Sequence, residues 1–240
     1  MSRTSVLSGN RMVLAGAVLY LLEWVAIIGA GVGVPVGAAA TAHEVAAAYS
    51  GHADALGWAA GWFGVVELGR VLFMVGLRSS LSDSGRPHRL MDVAVVAMTV
   101  SVVLEVVSYT VVAGAAWSLA QGGSIATTRV LDAVAFEVNQ TLLGPMGVSV
   151  LCAGIAMWRS GLYARTLSWL GLAAGGSFTV MGIALVGPRF AGAANAQSVA
   201  VLLLWTWMLW TGVAAWRARP RPAEAGTEES QYDLTTAEPV

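Results

Sequence analysis

The chain is poor in charge: Asp, Glu, Lys and Arg make up 11% of its 240 residues, whereas 57% are hydrophobic. A typical soluble domain has about 25% charged residues. Lysine is absent, so all 13 basic residues are arginines, and the formal net charge is only -1. The composition excludes a basic nucleic-acid-binding protein and predicts an integral membrane protein whose first partner is the lipid bilayer.

Cysteine and histidine are scarce as well. Cys152 is the one cysteine, so it cannot form an internal disulfide, and its apolar surroundings predict a small buried side chain. The three histidines, His43, His52 and His88, lie in predicted loops without the spacing of metal ligands. We therefore expect no metal site and no cofactor.

Long hydrophobic runs are what the sequence has in abundance. A membrane-spanning helix needs about 20 apolar residues, and six segments qualify, at roughly 12–34, 57–78, 91–117, 128–158, 166–187 and 196–216. We predict an all-α bundle of six transmembrane helices over residues 1–216, followed by a disordered tail over 217–240. Pro145 lies inside the fourth segment and predicts a kink there.

Arginine placement predicts the orientation of the bundle. Ten arginines flank one side, and only Arg129 and Arg189 flank the other, which places both termini in the cytoplasm of a multi-pass cell-membrane protein. A cleaved signal peptide is the alternative for the first segment, since Arg3 and Arg11 precede it. That segment is long for a signal core and carries Glu23 at its centre, which favours a retained helix.

Four glutamates lie within these apolar segments, one in each of the first four: Glu23, Glu67, Glu105 and Glu137. An ionisable side chain inside a membrane costs about 2.5–3.5 kcal/mol or more, so it usually faces the protein interior. Each has polar neighbours at helical spacing. These are Tyr20 for Glu23, Arg70 for Glu67, Ser101, Ser108 and Tyr109 for Glu105, and Asn139, Gln140 and Thr141 for Glu137. We expect the four acids to meet in one cavity. The alternative for each glutamate is that it only holds helices together through interhelical hydrogen bonds.

Two further acids follow an Arg-x-x-Asp pattern at the start of the third and fourth segments. Asp92 follows Arg89, and Asp132 follows Arg129. Both aspartates are interpreted as residues of a helix's first turns, where the helix dipole favours negative charge.

Ten tryptophans are an unusual number beside five phenylalanines and five tyrosines. Several lie near predicted membrane interfaces, as expected of an aromatic belt. Trp24 and Trp205 lie deeper, and Trp62 is intermediate. They either pack between helices or line a pocket for a bulky apolar or transiently cationic ligand.

Acids among aromatic rings suit a membrane enzyme that acts on a prenylated substrate. A buried carboxylic acid can protonate an alkene, and aromatic faces can stabilise the carbocation that follows. The leading hypothesis is thus a metal-independent terpene cyclase. Its proton donor would be Glu67 tuned by Arg70. Glu105 and Glu137 would either hydrogen-bond to the donor or accept the final proton, and Glu23 would be a supporting or an alternative acid. The substrate would lie against Arg70, Trp24, Trp62, Tyr109, Asn139 and Trp205.

Two other functions stay open. Intramembrane carboxylates also relay protons in carriers, so the chain could be a small-solute or proton-coupled transporter. Against that, the sequence has no evident inverted repeat and no clearly broken pair of helices, which many carriers have. A non-catalytic membrane partner protein is the third possibility.

Two stretches carry a resemblance to known proteins. Residues 48–52 (AYSGH), which lead into 57–78, and residues 157–171 (MWRSGLYARTLSWLG) resemble a broad group of small six-span actinobacterial membrane proteins. The chain is also similar in style to the small membrane-bound terpene cyclases of bacterial drimentine-type indole-sesquiterpenoid pathways. That resemblance implies an acid-initiated cyclisation of a farnesyl chain, but it carries over a class of protein and no site residue. The Asp-x-Asp-Asp motif of soluble class II cyclases does not occur.

Overall fold

A computed structural model describes residues 6–30, 35–37, 39–86, 88–184 and 194–218. The described residues form helices and no strand, which confirms the predicted all-α class. The helices are α1 (Val6–Leu21), α2 (Glu23–Ala30), α3 (Ala42–Tyr49), α4 (Ala53–Val66), α5 (Leu68–Asp83), α6 (Arg89–Ala120), α7 (Ile125–Thr141), α8 (Leu143–Ser160), α9 (Arg165–Ala184) and α10 (Ala194–Arg217). The predicted disordered tail lies, apart from its first two residues, outside the described part of the chain.

Among the described residues, six stretches are long and apolar enough to cross a membrane, as the sequence predicts. They are Gly9–Gly29, Ala53–Asp83, Arg89–Ala120, Ile125–Ser160, Arg165–Ala184 and Gln197–Arg217. The protein is therefore a multi-pass membrane protein. The short helix α3 belongs to none of these stretches and lies between the first and second spans.

In three of the spans that the described residues form, a one-residue irregularity, called an interruption below, separates two helical segments. The first span is interrupted at Leu22, between α1 and α2; the second at Glu67, between α4 and α5; and the fourth at Leu142, between α7 and α8. At the first interruption the backbone N–H of Val25 donates to the carbonyl of Leu22 at 3.1 Å, a bond across three residues that tightens the turn. Pro145 lies in the first turn of α8, where its missing N–H is tolerated.

Glycines let the helices approach closely in two places. A Cβ added to Gly69 of α5 would lie 2.5 Å from the backbone nitrogen of Tyr20 in α1. A Cβ added to Gly175 of α9 would lie 2.5 Å from the backbone nitrogen of Leu151 in α8. Neither position has room for a side chain, so α1 packs on α5, and α8 on α9, backbone to backbone.

The two ends of the bundle carry different contacts. At one end, Arg78 of α5 donates from Nε to Asp92 of α6 at 2.6 Å, and the Arg11 guanidinium lies 6.0 Å from the ring centre of Trp216. Asp92 is in the first turn of α6, as interpreted from the sequence. At the other end, α3 packs over α6 and α7. The interrupted spans run between these two ends.

Candidate functional site

Arg70 is the centre of a buried cluster of charged side chains. Its guanidinium contacts the carboxylate of Glu67, three residues earlier, and the carboxylate of Glu105 on α6. Arg70 and Glu67 are 1% and 0% exposed, and Glu105 is 13% exposed. The Nη1 of Arg70 lies 3.1 Å from the sulfur of Met146 on α8. The pairing of Glu67 with Arg70 is the one that their spacing in the sequence predicts. Glu105, from another span, is a second carboxylate in contact with Arg70.

Glu23 joins this cluster from the first span. Its side chain is buried, and it lies beside the carboxyl of Glu67 and the indole of Trp205 on α10. The ring of Tyr20, one turn earlier, lies 5.1 Å from the Arg70 guanidinium. Three of the four glutamates that the sequence singles out are thus brought together, and Arg70 lies among them.

The helix interruptions place these side chains. Glu67 is itself the residue between α4 and α5, Glu23 is the first residue of α2, and Met146 lies in the first turn of α8. The indole N–H of Trp62 donates to the carbonyl of Leu22 at 2.7 Å, at the first interruption. The backbone keeps helical dihedral angles at Glu67 (φ -63°, ψ -25°) and at Leu142 (φ -62°, ψ -25°), so both are local irregularities in otherwise helical spans.

The cluster has more acid than base. Among the described residues, Glu23, Glu67 and Glu105 face a single guanidinium, that of Arg70. Within the cluster, the buried atoms without a hydrogen-bond partner among the described residues include Oε1 of Glu23, Oε1 of Glu67, Nε of Arg70 and the indole nitrogen of Trp205. Unpaired buried charge is unfavourable, so the cluster is stable only when it also holds protons or another cation. The arrangement is suited to binding and releasing a positive charge.

Aromatic rings surround the acids. The rings of Trp24 and Trp205 lie with centroids 4.7 Å apart and planes inclined by 60°, next to Glu23. Tyr109, one turn beyond Glu105, stacks on Phe63 with centroids 4.0 Å apart. Trp62, whose indole bonds the interruption at Leu22, also stacks on a neighbouring tryptophan. The predicted aromatic residues therefore lie around the cluster or at its edge.

Glu137 and Asn139 lie apart from this cluster. No ion pair or hydrogen bond joins either side chain to Arg70 or its acids within the described ranges. Glu137 is half-buried on α7, and its backbone carbonyl accepts a hydrogen bond from Thr141 at 2.8 Å. The structure brings three of the four predicted acids into contact range of one another and leaves the fourth on α7.

Asp132 is a buried acid whose role the sequence interpretation missed. α7 begins at Ile125, so Asp132 lies beyond the first turn, and its interpretation as a dipole-favoured first-turn residue is wrong. It is 0% exposed and accepts from the backbone N–H of Val36 (2.9 Å), the backbone N–H of Gly37 (2.8 Å) and the hydroxyl of Tyr49 (2.5 Å). Burial, together with the Asp132 carboxylate, holds the pKa of Tyr49 well above its ordinary value.

These contacts fasten the segment between the first and second spans to α7. Gly37 has a positive φ of 104°, a backbone conformation that glycine adopts without strain. A Cβ there would also lie 3.3 Å from the ring of Phe136. In the sequence, Gly37 lies in a loop that precedes Tyr49. No sequence pattern predicts that this loop contacts Asp132.

Comparison of the chain with protein-family models, with curated proteins and with solved structures finds no match.

Proposed function

We propose that the protein is a proton-coupled membrane carrier of a small solute, in which Glu23, Glu67 and Glu105 exchange protons around Arg70. The observation that supports this most directly is the excess of buried carboxyl groups over guanidinium groups, with unpaired oxygens on Glu23 and Glu67. Intramembrane carboxyl groups with these properties are the usual proton relays of pumps and transporters.

One-residue irregularities in three spans lie close to the cluster. Glu67 is itself such a residue, and Glu23 follows another, at Leu22. The backbone at Glu67 and Leu142 keeps α-helical dihedral angles, so these spans are not the discontinuous helices typical of many carriers. A local irregularity in a helix is still a natural hinge, through which protonation could bias one packing of the bundle against another.

The carrier hypothesis is tested in liposomes that contain the purified protein and a trapped pH-sensitive dye. Solutes are added as a panel of amines, amino acids, sugars and organic anions, and proton movement is followed. We expect at least one solute to drive proton flux, and Glu67→Gln to abolish that flux. Asp92→Asn is the matched control, because Asp92 is an exposed carboxylate in a surface ion pair. Flux that persists in Glu67→Gln would refute the role of the cluster.

A second candidate is the terpene cyclase suggested by the sequence. The aromatic rings of Trp24, Trp205 and Tyr109 beside the acids favour it, since such faces stabilise carbocations. In that mechanism Glu67 would donate the proton, and Glu105 would accept one at the end. Glu137 has no ion pair or hydrogen bond to the cluster among the described residues. Membranes incubated with farnesylated compounds would then yield isomers of unchanged mass, and Glu67→Gln would stop their formation.

We further propose that the protein lies in the cell membrane with both termini in the cytoplasm. The support is the excess of arginines at one end of the bundle, where Arg78 and Arg89 flank the loop between α5 and α6. A reporter fused after Val240 should be active only if it is one that functions in the cytoplasm. Activity of a reporter that requires export would reverse the assignment.

A further inference from the structure

The seam between the first and sixth spans joins an aromatic pair to a buried acid. Trp24 of α2 is 39% exposed, and its ring packs against that of Trp205 on α10. Glu23, adjacent in the chain, is 5% exposed and lies beside the indole of Trp205. In a membrane, the exposed part of Trp24 would meet lipid, with the buried carboxyl group of Glu23 next to it in the chain.

The chemistry of this seam suits an organic cation with apolar substituents. Tryptophan faces attract cations, and more strongly where water is excluded. The carboxyl group of Glu23 supplies the opposite charge, and its Oε1 has no hydrogen-bond partner among the residues that the structure describes. An anion would meet three glutamates here. A strongly hydrated metal ion would face the apolar side of the tryptophans first.

We infer that the seam of Trp24, Trp205 and Glu23 takes up a lipophilic organic cation, such as a substituted ammonium, directly from the bilayer. The inference rests on the proposed carrier function and names the class of its substrate. Because the seam faces lipid, a cation that partitions into the membrane reaches Glu23 without crossing the aqueous ends of the bundle.

If Glu23 binds both the organic cation and a proton, the two compete for its carboxylate. The groups that face Glu23 are Tyr20 from α1, Glu67 and Arg70 from the second span, Glu105 and Tyr109 from α6, and Trp205 from α10. Arg70 already neutralises one carboxylate, so a second positive charge can be held either as a proton or as the organic cation. Each cation that binds should therefore release about one proton to the solvent.

The test measures binding of radiolabelled tetraphenylphosphonium to the purified full-length protein in detergent, at an acidic and an alkaline pH. We expect binding to be weaker at the acidic pH. Glu23→Gln should abolish specific binding, and Trp205→Ala should weaken it about tenfold or more, whereas Trp205→Phe should retain most of it. Size-exclusion profiles confirm that each variant remains folded.

Two matched control variants distinguish binding at this site from nonspecific binding to exposed tryptophans or carboxylates. Trp158 and Trp169 form another tryptophan pair, with centroids 5.9 Å apart and both rings about half-exposed. Trp169→Ala should leave binding unchanged, and so should Asp92→Asn. Binding that falls equally in Trp169→Ala, or that survives in a folded Glu23→Gln protein, would overturn the inference.

Failure of the inference can be told apart from failure of the carrier proposal. If tetraphenylphosphonium does not bind but a neutral or anionic solute drives Glu67-dependent proton flux in liposomes, the protein is a carrier with a different substrate and the cation inference is wrong. If the phosphonium binds with the expected variant pattern but no solute of the panel drives proton flux, the cation site stands and the carrier proposal fails.

Discussion

The molecule contains two buried acidic sites that differ in how well their charge is satisfied. Asp132 is a single carboxylate that accepts three hydrogen bonds, from Val36, Gly37 and Tyr49. The cluster around Arg70 sets three carboxyl groups against one guanidinium and leaves acidic oxygens without partners among the described residues. The first site is complete as it stands, whereas the second requires an additional positive charge.

This difference separates a structural acid from a functional one. A fully hydrogen-bonded carboxylate fixes the backbone around it and has no capacity left for a ligand. Asp132 accordingly binds the segment between the first two spans to α7. An acid that is buried and only partly satisfied is costly, and such sites mark binding or proton transfer. The variants below change one site at a time, from the largest expected effect to the smallest.

Arg70→Met should have the largest effect on stability. The substitution removes the cluster's one guanidinium and leaves Glu67 and Glu105 buried without it. Breaking a buried ion pair from one side costs about 3–5 kcal/mol. Protonation of the acids offsets part of that loss, so the deficit should shrink at acidic pH. Unfolding in mixed micelles with increasing denaturing detergent measures it, and a loss that is the same at all pH values would contradict the account.

Asp132→Asn should cost about 2–3 kcal/mol of unfolding free energy, because an amide group cannot accept from all three donors and leaves buried N–H groups unpaired. The segment over 35–49 should become sensitive to protease in the folded protein, while proton exchange by the cluster around Arg70 stays intact. Glu44→Gln is the control, since Glu44 caps α3 at the exposed surface. Loss of proton exchange in Asp132→Asn would show that the two sites are coupled.

Tyr49→Phe should cost about 1.5–2 kcal/mol, the lower part of the range of about 1.5–3 kcal/mol for a hydrogen bond to a charged group. It should also change the alkaline behaviour. The pKa of Tyr49 in the folded protein is raised, so its contribution is fully present below the ordinary tyrosine pKa of about 10 and is lost as the pH rises above it. Wild-type protein should therefore lose stability above about pH 10 more steeply than Tyr49→Phe; parallel curves would contradict this.

Glu137→Gln should have the smallest effect, within about 0.5 kcal/mol on stability. No ion pair or hydrogen bond ties the Glu137 carboxylate to the cluster in the described part of the chain. Proton flux in liposomes should remain close to that of the wild type. A loss comparable to that in Glu67→Gln would place Glu137 in the functional site after all, as the sequence suggested.

Local features of the chain explain which parts of this arrangement the sequence could predict. Six apolar runs of sufficient length determine the number of spans, and helical periodicity pairs Glu67 with Arg70 and Tyr20 with Glu23. The interruption at Leu22 has no proline or glycine beside it, so composition gives no sign of it.

The remaining differences depend on contacts between distant parts of the chain. Asp132 bonds to Gly37 across 95 residues, and no periodic pattern encodes that pairing. Glu137 lies at a suitable depth in its span, and depth was the basis for including it. Packing of α7 against α6 and α8 decides which face of α7 lies toward Arg70. The sequence pattern does not predict that face.

The central claim is that the cluster around Arg70 holds exchangeable protons and that Asp132 does not. Infrared difference spectroscopy of the purified protein during a pH titration measures this directly, through the C=O stretching band of protonated carboxyl groups. We predict a titrating band that is reduced in Glu23→Gln and in Glu67→Gln and unchanged in Asp132→Asn and Glu137→Gln. The absence of any such band, or its loss only in Asp132→Asn, would contradict the account.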